Sequence, residues 1–286
     1  MKLSVMTSTF GRDIRENRFS YADAIRFCAD IGLDAVEVFA REVDSFGEER
    51  LTALLAEQNL ELSAYIASAD FIHSDTQARQ RAYQAAQDHI DRAERLGARI
   101  VLIVPAPVPG PESYIEGRRL FAEGLQCISQ YAREKGITVT TENYGVAVEF
   151  NGRIRHLAEF ASHAPDLRFT FDAGNFLLAG EDPLEGLERL RDRIAYVHLK
   201  DWVPVESEGG RFPVPNRPGC FFQEVAVGEG VVPTFRILDE LRRTGYCGYL
   251  SIEHGGRIDS RSGLQSAVSR LRDYLYKQSA GQSAGG

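Results

Sequence analysis

Four side chains of the kinds that bind cations and move protons close four β-rich runs: Glu142 after TVTT, Asp172 after FTF, His198 after AYV and Glu253 after LSI. Three carboxylates gathered at one place repel each other and raise one another's pKa unless a cation neutralises them. Three carboxylate oxygens and one imidazole nitrogen form a mostly hard donor set. It suits one divalent ion, Mn2+ first, with Mg2+, Co2+ or the less oxygen-loving Zn2+ as alternatives. Taken singly, a strand-end Glu can serve an Arg or a helix N-terminus, and a lone His is more often a satisfied core residue. Four such residues ending four consecutive runs argue against four separate structural roles.

The elements that must position these residues repeat along the chain. Apolar β-rich runs recur at 3–7, 35–39, 62–67, 99–104, 137–143, 168–174, 194–200 and 249–254. Between them lie segments with helical spacing, such as YADAIRFCADIG and LFAEGLQCISQYAREKG. Gly32, Gly97, Gly136 and Gly245 sit where helices must stop before the next strand. Ser20, Asp75, Asn151 or Gly152, Asp182 before Pro183, and Pro233 with Thr234 sit where helices must start. Eight strand-then-helix units predict an α/β fold, a (β/α)8 TIM barrel in one domain over residues 1–277. No G-x-G-x-x-G follows the first strand, as a Rossmann sheet would require. The last residues, 278–286, are small, polar and low in complexity, and read as a flexible tail.

In a barrel of this kind chemistry sits at the C-terminal ends of the strands. Besides the four donors, Glu37, His73, Asn175, Lys200, Asp201 and Trp202 fall near that face and are candidate substrate contacts, Glu37 with the alternative of pairing with a cation within the barrel. Lys200 could stabilise an enolate or bind a carboxylate, or simply pair with Asp201 or Glu142. The connection from Trp202 to Val232 is long and rich in Pro and Gly, the mark of a lid or of disorder. It carries Arg211, Arg217, Phe221 and Phe222, able to cover a polyhydroxylated ring or to pack a neighbouring subunit. Arg217 joins the candidate contacts.

The stretches LDAVEVFA, TENYG, FDAGN, YVHLKD and GEGVVPTFRILDELRRTGYCGYLSIEHGG resemble the xylose-isomerase-like barrels of the sugar phosphate isomerase/epimerase superfamily. The resemblance to ketose 3-epimerases of that group implies that Glu142, Asp172, His198 and Glu253 are metal ligands and that Glu142 and Glu253 also transfer protons. An ion gripping a carbonyl and the neighbouring hydroxyl acidifies the C–H between them. One glutamate removes the proton; the other returns one on the opposite face for epimerisation, or to the next carbon for isomerisation. Loss of a β-hydroxyl after the same abstraction gives a dehydratase, the alternative to the isomerase or epimerase reading. Two positions depart from the epimerases: Asn175 stands where they have His, and Pro204 where they have Arg. Contacts to the sugar's other hydroxyls must therefore differ. A sugar-binding barrel without turnover is opposed by the presence of both glutamates. An endonuclease IV-like DNA-repair enzyme is opposed by the ligand count, since no His falls between 202 and 230 and Asn175 replaces another.

Bulk properties agree. A net charge of −8 repels nucleic acid and anionic lipid at long range, so the expected partner is a small carbohydrate or polyol, with a homo-oligomer compatible. Cys28, Cys127, Cys220 and Cys247 form no C-x-x-C pair, no apolar run reaches membrane length, and the first residues do not read as a secretory leader. A cytoplasmic location is expected.

Overall fold

The computed structural model of the chain describes residues 1–206, 210–255 and 259–283. Eight parallel strands close into a barrel: β1 (Lys2–Met6), β2 (Ala35–Phe39), β3 (Glu61–Ala69), β4 (Ile100–Pro105), β5 (Thr138–Glu142), β6 (Arg168–Asp172), β7 (Ile194–Leu199) and β11 (Tyr249–Ile252). The order around the barrel is β1-β11-β7-β6-β5-β4-β3-β2. Hence β5, β6, β7 and β11, which carry or precede the four donors, are consecutive neighbours. The register Asp172↔His198 sets two of the donors side by side on β6 and β7.

Helices return the chain between strands, and local chemistry marks their ends. The Ser20 hydroxyl accepts from the Asp23 N–H at 3.1 Å, and the Asp75 carboxylate from the Ala78 N–H at 2.7 Å. Asp182 accepts from Leu184 N–H ahead of Pro183 in the first turn. The helix expected from Asn151 or Gly152 starts slightly later, at Ile154, where the Arg153 N–H donates to His156 Nδ1 at 3.4 Å. Gly97 ends the long helix Thr76–Leu96 at φ 79°, a left-handed conformation that would strain any residue with a Cβ. The final helix runs Ser260–Ser283, so the 278–286 segment is helical up to Ser283, and 284–286 lie outside the described residues.

The main core lies between barrel and helices and includes rings packed in tilted and edge-on pairs, such as Phe71, Phe121, Phe150 and Phe160. The upper barrel interior carries a smaller apolar cluster, Met6, Ile66 and Leu102, with Phe39 and Val104 against it. Beneath it the interior turns polar: Ser4, Glu37, Ser63, Tyr196 and Ser251 are all fully buried or nearly so.

Over its described residues the long connection after β7 is an ordered sheet, which corrects the expectation of disorder and leaves a structured cover over the barrel mouth. Strands β8 (Asp201–Val205), β9 (Phe212–Pro213) and β10 (Phe221–Val225) form an antiparallel sheet in the order β8-β10-β9. Trp202, Phe212 and Phe222 pack together within it, with ring centroids 5.7 and 6.4 Å from Trp202. That burial offsets the ordering entropy that the prolines and glycines alone would not. All four cysteines are free thiols, and no helix among the described residues is long and apolar enough to cross a membrane.

Candidate metal and acid/base centre

Glu142, Asp172, His198 and Glu253 converge at the C-terminal mouth of the barrel, and each offers a ligand atom within 4.8 Å of the others. From His198 Nδ1 the nearest carboxylate oxygens are 3.3 Å away in Glu142, 3.5 Å in Glu253 and 4.0 Å in Asp172. Donors around an ion at ~2.1 Å stand about 3 to 4 Å from one another, so the cluster needs to contract only slightly to hold one. Asp172 and His198 are fully buried, Glu142 nearly so, and Glu253 is half-buried.

Each donor is aimed by specific neighbours. Asp172 Oδ1 accepts from the N–H groups of Gly174 and Asn175, both at 2.9 Å. Its Oδ2 accepts from Asn175 Nδ2 at 2.8 Å and stands 3.0 Å from Lys200 Nζ. Asn143 exchanges two hydrogen bonds with the Asp172 backbone. Lys200 Nζ donates to Glu253 Oε1 at 2.8 Å, and its stem runs over Gly174, where a Cβ would collide with it. Asn175, a candidate substrate contact, thus serves Asp172 first, though it also lines the cavity.

Electrostatics separates the carboxylates. Burial pushes the Asp172 carboxyl up to about 7; Lys200 opposes that rise, and Glu253 and Glu142 add to it. Burial also raises Glu253, but Lys200 and His198 outweigh it, so its carboxyl lies below the ordinary glutamate value. Burial disfavours the charged Lys200, yet Asp172, Glu253 and Glu142 together hold its ammonium well above the usual lysine value. The centre therefore keeps one ionised glutamate beside one ammonium.

Above these groups lies a cavity of about 190 Å³. That is below the ~300 Å³ at which drug-sized sites begin, and fits a monosaccharide-sized guest. One wall is apolar, from Met6, Phe39, Ile66, Leu102 and Val104; the other holds Glu142, Glu253, Lys200 and Asn175. Trp202 and Arg211 close it from the antiparallel sheet, and Trp202 Nε1 donates to Gly174 O at 3.2 Å.

Four candidates lie elsewhere. Asp201 is turned to the base of the excursion, where its carboxylate accepts from the N–H groups of Trp202, Gly228, Gly230 and Val232 at 2.9–3.0 Å. His73 pairs with Asp70 at 3.0 Å and is not among the cavity residues. Arg217 is exposed at the 215–219 turn, away from the cavity, and Arg211 takes the place expected of it. Glu37 is sealed beneath His198, out of reach of any substrate. Sequence reasoning missed Arg41, Tyr144 and Glu224 in the lining; Tyr144, in TENYG two residues past Glu142, was the one with a signal.

A family model described as "Xylose isomerase-like TIM barrel" matches residues 25–274. Among curated proteins, the inosose dehydratase of Clostridium beijerinckii is 26% identical over 186 residues, 58% of this chain; the chain covers 60% of that relative's length. Among solved structures, the probable 3-DHS dehydratase AsbF of Bacillus anthracis superposes with TM-score 0.72 at 19% identity, covering 95% of this chain and 99% of that one. The IOLI protein, solved with a binding zinc atom, superposes with TM-score 0.73 at 16% identity over 97% of this chain and 99% of that one. The two structural likenesses show the fold.

Proposed function

Because the chain belongs to the xylose isomerase-like TIM barrel family, we propose that it is a divalent-metal-dependent enzyme that removes water from a keto-polyol or related sugar-derived substrate. Isomerase or epimerase chemistry at the same residues is the second reading. The observation that carries the proposal is the convergence of Glu142, Asp172, His198 and Glu253 within 4.8 Å, beside the Lys200 ammonium.

The donor set fits a hard or borderline divalent ion, and those four residues would hold it. Bound there, such an ion would polarise a substrate carbonyl and its neighbouring hydroxyl as a Lewis acid. The chain's own groups do the rest. Glu253 is kept ionised by Lys200, ready to take the proton from the carbon next to the carbonyl. In this reading Glu142, on the far side of β6 and β7 from Glu253, supplies a proton to the departing β-hydroxyl. The C–H pair then becomes the new C=C bond, and the hydroxyl leaves with that proton as water. Lys200 faces the oxygen on which negative charge gathers, and the walls of Met6, Phe39 and Trp202 restrict water.

The same abstraction serves epimerisation if Glu142 instead returns its proton to carbon. Elimination is favoured because the curated relative at 26% identity is named inosose dehydratase. The test is incubation of chelator-treated, Mn2+-, Co2+- or Zn2+-reloaded protein with inososes, ketoses and keto-acids in D2O. A product lighter by one water supports elimination. Deuterium gained without loss of water returns the epimerase or isomerase reading, and neither outcome with any ion or substrate would sink both.

A further inference from the structure

A TIM-barrel interior is ordinarily filled with branched apolar side chains. Here it holds a buried carboxylate instead. Glu37, midway along β2, is fully buried, and both its oxygens accept from His198 Nε2, at 3.1 and 3.0 Å. Burying an ionised carboxylate is costly unless its lone pairs are filled. The chain fills them: Ser251 Oγ donates to Glu37 Oε2 at 2.7 Å, and Tyr196 OH lies 3.3 Å from the same oxygen. Tyr196 is fixed in turn by Ser63 at 2.7 Å, and Ser63 by Ser4 at 2.6 Å. Residues from β1, β2, β3, β7 and β11 thus form one connected polar floor below the mouth.

An imidazole has two nitrogens, and the hydrogen bond made by one decides what the other can do. With Nε2 committed to Glu37, Nδ1 is left facing Glu142, Asp172 and Glu253. We infer that Glu37 is a positioning residue for the metal centre: it takes the Nε2 proton of His198 in a hydrogen bond, fixes the ring, and leaves the Nδ1 lone pair for the ion. The polar floor holds Glu37 in that role. The inference rests on reading the four donors as a metal site. A buried Glu37–His198 pair serving stability alone would predict the same contacts but different behaviour on substitution, which makes the two separable.

The experiment titrates chelator-stripped wild type, Glu37→Gln, Glu37→Asp and Ser251→Ala with Co2+ against a chromophoric chelator. The Co2+ visible absorption band and the melting temperature of the stripped protein are recorded alongside. Outer partners of a ligating histidine typically change metal affinity 10- to 100-fold when replaced. Glu37→Gln is expected to weaken Co2+ by roughly that factor and to alter the band, Glu37→Asp to recover part of the loss, and Ser251→Ala to lose a few-fold. Affinity within threefold of wild type and an unchanged band in Glu37→Gln overturn the inference while leaving the metal site standing, as does a change confined to melting temperature. Should Glu37→Gln not fold, Glu37→Asp and Ser251→Ala decide by the same two readouts, affinity and band indistinguishable from wild type in both overturning the inference. Wild type that takes up no Co2+, Mn2+ or Zn2+ overturns the metal reading and the inference with it.

Discussion

Lys200 and Glu253, one just past the strand that bears His198 and the other just past the next strand around, meet across the mouth with Nζ 2.8 Å from Oε1. The other oxygen of Glu253 turns to His198 Nδ1 at 3.5 Å. One glutamate is therefore held between an ammonium and an imidazole, its two oxygens given different neighbours. A base so placed can reach a substrate carbon only along the direction its partners leave open.

Replacing that ammonium tests what it does beyond holding Glu253. Lys200→Met keeps the stem that lies over Gly174 and removes the charge. Turnover is expected to fall by about 10²- to 10³-fold, the usual consequence of losing one donor aimed at developing negative charge. The bound-metal stoichiometry should stay at one. A loss under fivefold would show that Lys200 only balances the carboxylates.

Glu142 and Glu253 have separate tasks in the elimination, and substitution should separate them. Glu253→Gln is expected to abolish both turnover and solvent exchange at the carbon next to the carbonyl. Glu142→Gln is expected to retain exchange while losing product by roughly 10²- to 10⁴-fold, since only the departing hydroxyl lacks its acid. NMR of substrate recovered from D2O reads both. Equal loss of exchange in the two variants would oppose the assignment, and exchange surviving in Glu253→Gln would place the base elsewhere.

The four donors were legible in the sequence because each ends an apolar β-rich run, and barrel strands end at the working face. Of the two readings of Glu37, a contact at the mouth or a partner within the barrel, the structure has the second, against His198. Glu37 lies inside AVEVF with no run to end, and only the closed barrel shows that it points inward beneath His198. Asp201 follows Lys200 directly, so the two side chains leave the strand on opposite sides, one to the cavity and one to the backbone amides of the excursion. Which side was which depended on contacts about 30 residues away in sequence, such as Val232. The alternating FFQEV of β10 could have signalled a strand, but the surrounding prolines and glycines masked it.

Acid stability should carry the signature of His156. Burial, helped by Arg118, Arg155 and Arg153, pushes its pKa down to about 4, so the folded chain favours the neutral ring. The unfolded chain takes up the proton near the ordinary histidine value of about 6.5. Above that value neither state is protonated and the group costs nothing. As pH falls from about 6.5 towards 4, the unfolded state binds more protons and stability is lost. His156→Gln, which keeps an acceptor for the Arg153 N–H, should melt less steeply over this window, gaining roughly 2–4 °C over wild type near pH 4.5 relative to their difference at pH 8. Parallel melting curves would show that another group titrates there.

The antiparallel sheet makes an opposite demand on its two arginines, and that contrast is the sharpest check on the cavity. Arg211 lines the cavity, stacks on the Phe212 ring at 4.9 Å, and helps lower the Glu253 carboxyl. Arg217 lies at the 215–219 turn, exposed. Arg211→Ala removes a donor fork that can reach substrate oxygens, and hydrogen bonds to charged groups contribute about 1.5–3 kcal/mol. Converted, that is roughly a 10- to 150-fold rise in KM, with metal content unchanged. Arg217→Ala should alter KM and kcat by less than twofold. If the segment instead served mainly to pack another subunit, Arg211→Ala would change the mass measured by light scattering and leave KM alone. Equal kinetic effects from the two substitutions would mean that the sheet closes over substrate differently from the arrangement described, with the 215–219 turn swung towards the mouth.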